Sequence, residues 1–203
     1  MGALSFRAKT RIAREAAIIA SVKRLLAEKG FELMTVDEVA AEVGIAKASL
    51  YKHFASKDLL ATAAMVQTLH LALDQTAALQ TQAGMAAVER LRAITRWTLH
   101  TQLAGQMPTL PTQNSSLRAT LLADRSYTDG LMALSETLGG WIVQAQADAA
   151  INPSLPPELV LFTLYSRGCD PVLGFLKAGG AHSDTQIVDW VMATCFEGLA
   201  QRS

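Results

Sequence analysis

The stretch T-V-D-E-V-A-A-E-V-G-I-A-K-A-S-L-Y-K-H-F-A-S-K, residues 35–57, constrains the fold more than any other part of the chain. Thr35 and Glu38 stand at the spacing of a capping box, so a helix begins there. Val36, Val39, Ala40 and Val43 recur on one helical face, while Asp37, Glu38 and Glu42 take the other. Gly44 falls where a C′ glycine ends a helix through a left-handed residue. Ile45 follows as an apolar plug, and Ala46 to Phe54 make a second short helix. Leu50 and Phe54 face inward on it; Lys47, Ser49, Tyr51, Lys52 and His53 face outward. Two short helices, a glycine turn and a polar second helix are what a helix-turn-helix requires. The plainer alternative is an αα-hairpin whose polar face is simply solvated.

The residues themselves favour the first reading, because the segment resembles the DNA-binding signature of the TetR family of transcriptional regulators. The elements that carry the resemblance are Thr35, Val39-Ala40, Val43-Gly44, Ser49-Leu50-Tyr51, His53-Phe54 and Ser56-Lys57-Asp58-Leu59-Leu60. Ala48 departs from the pattern, glycine or proline being commoner there. The resemblance spans residues 10–62, under a third of the chain. It implies an all-α protein of about nine helices. A basic arm and helix-turn-helix DNA-binding domain would occupy residues 1–56. A larger ligand-binding and dimerisation domain would follow over residues 57–203, with the helix 57–81 connecting the two.

Composition agrees where it bears on this. Half of the 203 residues are hydrophobic and only 6% aromatic, with Ala and Leu dominant, which favours helices. The formal net charge is zero, yet its distribution is uneven. Residues 1–60 hold ten Lys and Arg against seven Asp and Glu; the rest hold eight against eleven. Arg7, Lys9, Arg11 and Arg14 open the chain with no acid among them. A cationic end on a mildly acidic body suits a protein that touches phosphates with one part only. Cys169 and Cys195 form no CxxC and suit neither a zinc site nor a disulfide framework, so a cytoplasmic location is expected. No run of 18 uninterrupted apolar residues occurs, and no membrane partner is expected.

Taken in order, residues 1–10 read as a flexible basic arm. A helix follows over Thr10–Lys29 with Ile12, Ala16, Ile19, Val22 and Leu26 as its core stripe, ended by Gly30. After the helix-turn-helix, Ser56 caps a long helix from Lys57 to Thr81, and Gly84 breaks it. Further helices are expected over 85–103, 115–123, 125–149, 156–177 and 184–201. The helix of 125–149 contains Gly139-Gly140, which suggests a bend or close packing beside Trp141. A kink is expected at Asp170-Pro171.

The resemblance implies DNA contacts from Thr35, Ala46, Lys47, Ala48, Ser49, Tyr51, Lys52, His53 and Lys57. Lys47 can reach guanine acceptors, and Ala48 or Ser49 a thymine methyl or base edge. Tyr51, His53 and Lys57 read as phosphate contacts, and Thr35 as cap and phosphate donor at once. It also implies a small-molecule site among the middle helices. There Trp97, His100, Thr101, Met107, Leu122, Met132 and Trp141 mix aromatic and soft apolar groups with a few polar handles. Plain core is the competing reading of each. A homodimer interface is expected on the last helices, from Leu164, Gly168, Val172, Phe175, Ile187, Val191, Cys195 and Leu199. His53, His70, His100 and His182 are scattered and belong to no HExxH, GxSxG or phosphate-cradling pattern. No catalytic residue, metal or cofactor is expected. The expected partners are double-stranded DNA carrying an inverted repeat, a second copy of the chain, and an unknown small effector. The rivals are a ligand-independent dimeric DNA-binding protein and a small-molecule-binding protein with a vestigial helix-turn-helix.

Overall fold

The computed structural model describes residues 5–199, Arg7 by its backbone alone. Among them every regular element is helical. These are α1 (Phe6–Leu33), α2 (Val36–Val43), α3 (Lys47–Leu50), α4 (Lys57–Gln80), α5 (Ala87–Leu103), α6 (Ser116–Ala123) and α7 (Arg125–Ala147). α8 (Pro157–Ser166), α9 (Pro171–Ala178) and α10 (Asp184–Phe196) complete them. A 3-10 turn, Arg167–Cys169, joins α8 to α9. The broken helix expected over 156–177 is thus resolved into two α-helices and a turn. Asp170 caps the second by accepting from the Val172 N–H at 3.0 Å, and Pro171 sits at its first position, where a missing N–H costs nothing.

α1 begins earlier than the sequence suggests. Ser5 caps it by accepting from the Ala8 N–H, and residues 6–10 are helical rather than a flexible arm. Lys, Arg and Ala are good helix formers, so an acid-free run is no barrier to helix. Residues 1–4 of the expected arm lie outside the described residues. Ile12 is 53% exposed, and Ala16 is exposed as well. The buried stripe starts later, at Ile18, Val22, Leu25 and Leu26. Gly30, with φ +75°, leaves the helical conformation where a stop was expected, and beyond that kink the helix continues only as far as Leu33.

The chain forms two compact units. One comprises the residues up to Thr68 together with Pro108–Thr128. Its core joins Ile18, Val22, Leu25 and Leu26 of α1 with Phe31, Met34, Val39, Ala40, Leu50, Leu60, Ala61 and Ala64. Leu117 and Leu121 of α6 complete that core, at 0% and 3% exposure. Thr109 ties the preceding loop to α1 by donating to the Leu26 carbonyl at 3.0 Å, and the Ser116 hydroxyl meets the Asp58 carboxylate at 2.6 Å.

The other unit comprises Leu69–Met107 and the residues from Asp129 onward. Leu99 and Leu103 of α5, Leu173 of α9, and Ile187, Val188, Val191 and Met192 of α10 form a core there. Ser183 caps α10 in a reciprocal box with Gln186. α10 ends at Phe196, short of the expected Gln201, which itself lies outside the described residues. α7 runs unbroken through Gly139-Gly140, and nothing lies within 4 Å of a Cβ built at either. The expected close packing there is absent; it occurs instead at Gly130, against Leu69.

A candidate DNA-binding surface

Local chemistry sets the geometry of α2 and α3. Thr35 accepts from the Glu38 N–H at 3.3 Å, while Glu38 Oε2 accepts from the Thr35 N–H at 2.9 Å and from its hydroxyl at 2.8 Å. The Glu38 carboxylate also pairs with Lys29 of α1. Lys29 first, then Thr35, hold its pKa down to about 2. Gly44 ends α2 with φ +70° and ψ +35°, the left-handed residue that the turn demands and that glycine adopts without strain. A second clamp joins α1 to α2, where Arg24 spans Glu28 at 2.5 Å and both oxygens of Glu42. The two acids of α2 that face α1 are therefore neutralised by it.

α3 is one turn long, and Tyr51–His53 continue it as a hydrogen-bonded turn. Leu50, 1% exposed, pins it to the core, and Phe54 packs behind. Its other side is open. Ala46, Lys47, Ala48, Tyr51 and Lys52 are exposed and Ser49 half-buried, an unbroken outward segment. Lys47 pairs with Asp37 of α2 at 2.9 Å, and that carboxylate raises its pKa. A surface pair of this kind is weak, so Lys47 is held over α2 while remaining free to exchange Asp37 for a stronger acceptor.

The remaining expected contacts are occupied within the chain. Both donors of Thr35 serve Glu38. Lys57 lies over the Phe31 ring at 4.3 Å and donates to the Glu32 carbonyl, closing the end of α1. His53 keeps 11% of its side chain exposed, and its Nδ1 lies 3.1 Å from Glu15 Oε1, the oxygen that Arg11 also contacts at 2.9 Å. Glu15 carries no signal in the sequence. Only its approach to His53, 38 positions away, reveals it.

The expected small-molecule residues do not share one setting. Leu122 lies in the first unit, 63% exposed, on the outer face of a helix whose inner face is Leu117 and Leu121. Met132 is 59% exposed and His100 is exposed, whereas Trp97, Thr101 and Met107 are half-buried. Trp141 is buried, and the Arg90 guanidinium of α5 lies 5.9 Å over its ring. Sequence reasoning passes over Arg90, whose Nε is buried with no partner.

The expected interface residues divide as well. Ile187, Val191 and Leu164 are buried in their own chain, and Gly168 faces Thr98 of α5. Ile187 and Val191 point inward because α10 packs on α5 and α9, and Gly168 because the 3-10 turn lies against α5. Cys195 is half-buried, and burial raises its thiol pKa. Val172, Phe175 and Leu199 are open, at 45%, 76% and 90% exposure. Leu159, Phe162 and Trp190, none of them expected, are open too. The span Pro157–Ala178 has a mean hydropathy of 1.2 over its most apolar window, only 17% of which is buried. Its length and composition are those of a membrane helix, but the turn at Arg167–Cys169 breaks it. Among the described residues no three His, Cys, Asp or Glu side chains are placed to hold a metal.

Comparison with known proteins bears on both units. The profile of bacterial regulatory proteins of the tetR family matches residues 18–64. An uncharacterised HTH-type transcriptional regulator of Bacillus subtilis (strain 168), YerO, is 49% identical over 43 residues, 21% of this chain and only 15% of that protein. Two solved structures share the fold over nearly their whole length. The transcriptional regulator FadR from Bacillus subtilis, in complex with stearoyl-CoA, superposes with a TM-score of 0.66 at 16% identity, covering 91% of this chain and 99% of its own. AibR in complex with isovaleryl coenzyme A and operator DNA superposes with a TM-score of 0.61 at 23% identity, covering 90% and 98%. Residues 18–64 thus carry the helix-turn-helix of the tetR family of bacterial regulatory proteins, and the chain shares the fold of FadR and AibR over about nine-tenths of its length.

Proposed function

We propose that the chain is a homodimeric, sequence-specific DNA-binding regulator of the cytoplasm, a repressor released from an inverted-repeat operator by a small lipophilic ligand. The observation that carries this reading is the outward face of Ala46–Lys52, where Ala46, Lys47, Ala48, Tyr51 and Lys52 are exposed and the buried Leu50 anchors the segment. Ala46, Lys47, Ala48 and Ser49 face base edges in it and Tyr51 and Lys52 the phosphates, while Thr35 and Lys57 reach a phosphate only by exchanging their intrachain partners. Residues 1–56 serve DNA, and residues 57–203 serve ligand and dimer. α4 begins at Lys57 and carries the signal between them, changing the separation of the two recognition helices from the roughly 34–36 Å of successive major grooves.

Acyl-coenzyme A thioesters are the ligand class we favour, because both FadR and AibR hold one. Arg90 supports the choice. It makes no ion pair among the described residues, and its unpartnered Nε beside Trp141 can donate to a ligand carbonyl or phosphate. The open apolar side chains Leu159, Phe162, Val172, Phe175 and Trp190 support the dimer, since one chain leaves them uncovered.

Selection of binding sites from random duplex DNA tests the central claim. An inverted repeat is expected, and Lys47→Ala should weaken its binding by about 1–3 kcal/mol per half-site while relaxing preference at one base pair. Failure to enrich any repeat refutes the regulator reading. Titration of the selected complex with stearoyl-CoA should then quench Trp141 and release the DNA. Arg90→Gln should need more ligand for both.

A further inference from the structure

His53 stands where a phosphate contact is expected, yet its Nδ1 is committed to Glu15. That commitment decides what the other ring nitrogen can do. A carboxylate only accepts hydrogen bonds, so the nitrogen facing it must carry a proton. Hydrogen bonds from His53 and from Arg11 hold the Glu15 carboxyl below its ordinary range, which keeps it an acceptor at neutral pH. In the neutral ring the single proton therefore sits on Nδ1, and Nε2 presents a bare lone pair. A phosphate oxygen is also only an acceptor, and the two repel. Nδ1 makes the one hydrogen bond of the His53 ring among the described residues, and Nε2 lies on the other side of the ring from it.

We propose that Glu15 makes the His53–DNA contact proton-coupled: Nε2 takes a proton from solvent as a backbone phosphate arrives, and the imidazolium then bridges the phosphate to Glu15. This rests on the DNA-binding reading of the α2–α3 surface. The coupling follows from geometry and valence. The neutral ring cannot donate from both nitrogens, and the charged ring donates from both. Glu15 is the charged group in contact with His53 from α1, with Arg11 on the same carboxylate oxygen. Along its own segment Tyr51 and Lys52 precede it, both exposed, and Lys57 follows but is turned onto Phe31. These cations explain why Glu15 is needed: it offsets their charge where an imidazolium must form. Binding would then take up one proton at each protomer and strengthen as pH falls, by up to about tenfold per pH unit for each proton taken up.

The test uses the full-length protein and the duplex it selects from random DNA. Affinity is measured by fluorescence anisotropy from pH 8 to pH 6 at fixed ionic strength. His70, His100 and His182 remain in every variant, so the contrast isolates His53. The wild type should bind more tightly as pH falls, and His53→Gln should have a shallower slope. Glu15→Ala should also flatten the slope while binding at least as tightly as wild type at pH 8. With no acceptor left at Nδ1, a neutral ring can carry its proton on Nε2. Equal slopes for wild type and His53→Gln overturn the proposal. A second measurement needs neither DNA nor a substitution. Long-range 1H–15N correlation of the free wild type at pH 8 should show His53 protonated on Nδ1, and a signal for the Nε2–H form overturns the proposal by itself. Selection that returns no duplex would instead sink the DNA-binding reading, a result distinct from a bound duplex with equal slopes.

Discussion

Leu117→Ala should destabilise the DNA-binding unit strongly, although Leu117 lies 67 positions beyond Leu50 in the chain. Its side chain is 0% exposed and belongs to the core formed by α1, α2, α3 and α4. The substitution removes three carbon atoms, worth ~2.4 kcal/mol at about 0.8 kcal/mol per buried methylene. The cavity left behind adds to this and can bring the loss toward about 5 kcal/mol. The lower end is already a large part of the stability of an ordinary domain, about 5–15 kcal/mol. Leu122→Ala is the matched control, since the same atoms are removed from a side chain that is 63% exposed; its effect should stay within about 0.5 kcal/mol. Urea denaturation followed by far-UV circular dichroism separates the two. With a slope of about 1.5 kcal/mol per molar, a loss of about 3 kcal/mol moves the midpoint by about 2 M. Faster amide exchange in α2 and α4 should accompany the shift. If both substitutions move the midpoint equally, α6 is not part of this core and the reasoning fails.

Three further outcomes follow from particular contacts. In α7, Gly139→Ala and Gly140→Ala should each stabilise by up to about 1 kcal/mol, because an added Cβ meets nothing within 4 Å. Gly130→Ala should gain no stability, or lose about 1–2 kcal/mol, because its Cβ would lie 2.9 Å from Leu69 Cδ2 and 3.3 Å from Leu69 Cγ; thermal melts of the three rank them. The Glu38 carboxyl is held at about 2 in the folded protein, below its ordinary 4.5. Its contribution is therefore complete above about pH 4.5 and disappears as pH falls toward 2. Melting temperatures of wild type and Glu38→Gln should converge over that interval, and parallel curves would show that the Lys29 pair contributes nothing. Phe175→Asp places a charge on a residue 76% exposed in one chain, so it should leave the fold intact and yield monomers in sedimentation; a persistent dimer would move the interface elsewhere.

Much of this protein is decided by its sequence alone, and the reason is local. The Thr35–Glu38 box, the left-handed Gly44, the Ser56 cap and the break at Asp170-Pro171 act within a few residues, so spacing suffices to place them. The Ser183–Gln186 box is equally local, and the same spacing rule reaches it. Periodicity also finds the apolar face of a helix, but it cannot say what covers that face. Ile187 and Val191 are covered by α5 and α9 of their own chain, while Phe162, Phe175 and Trp190 are left bare. Both sets are equally apolar and differ only in which way the packed helix is turned. α6 belongs to the DNA-binding core through Leu117 and Leu121, far from it in sequence, and Glu15 meets His53 across 38 positions. Such contacts are set by how helices pack, and no pattern within either segment encodes them.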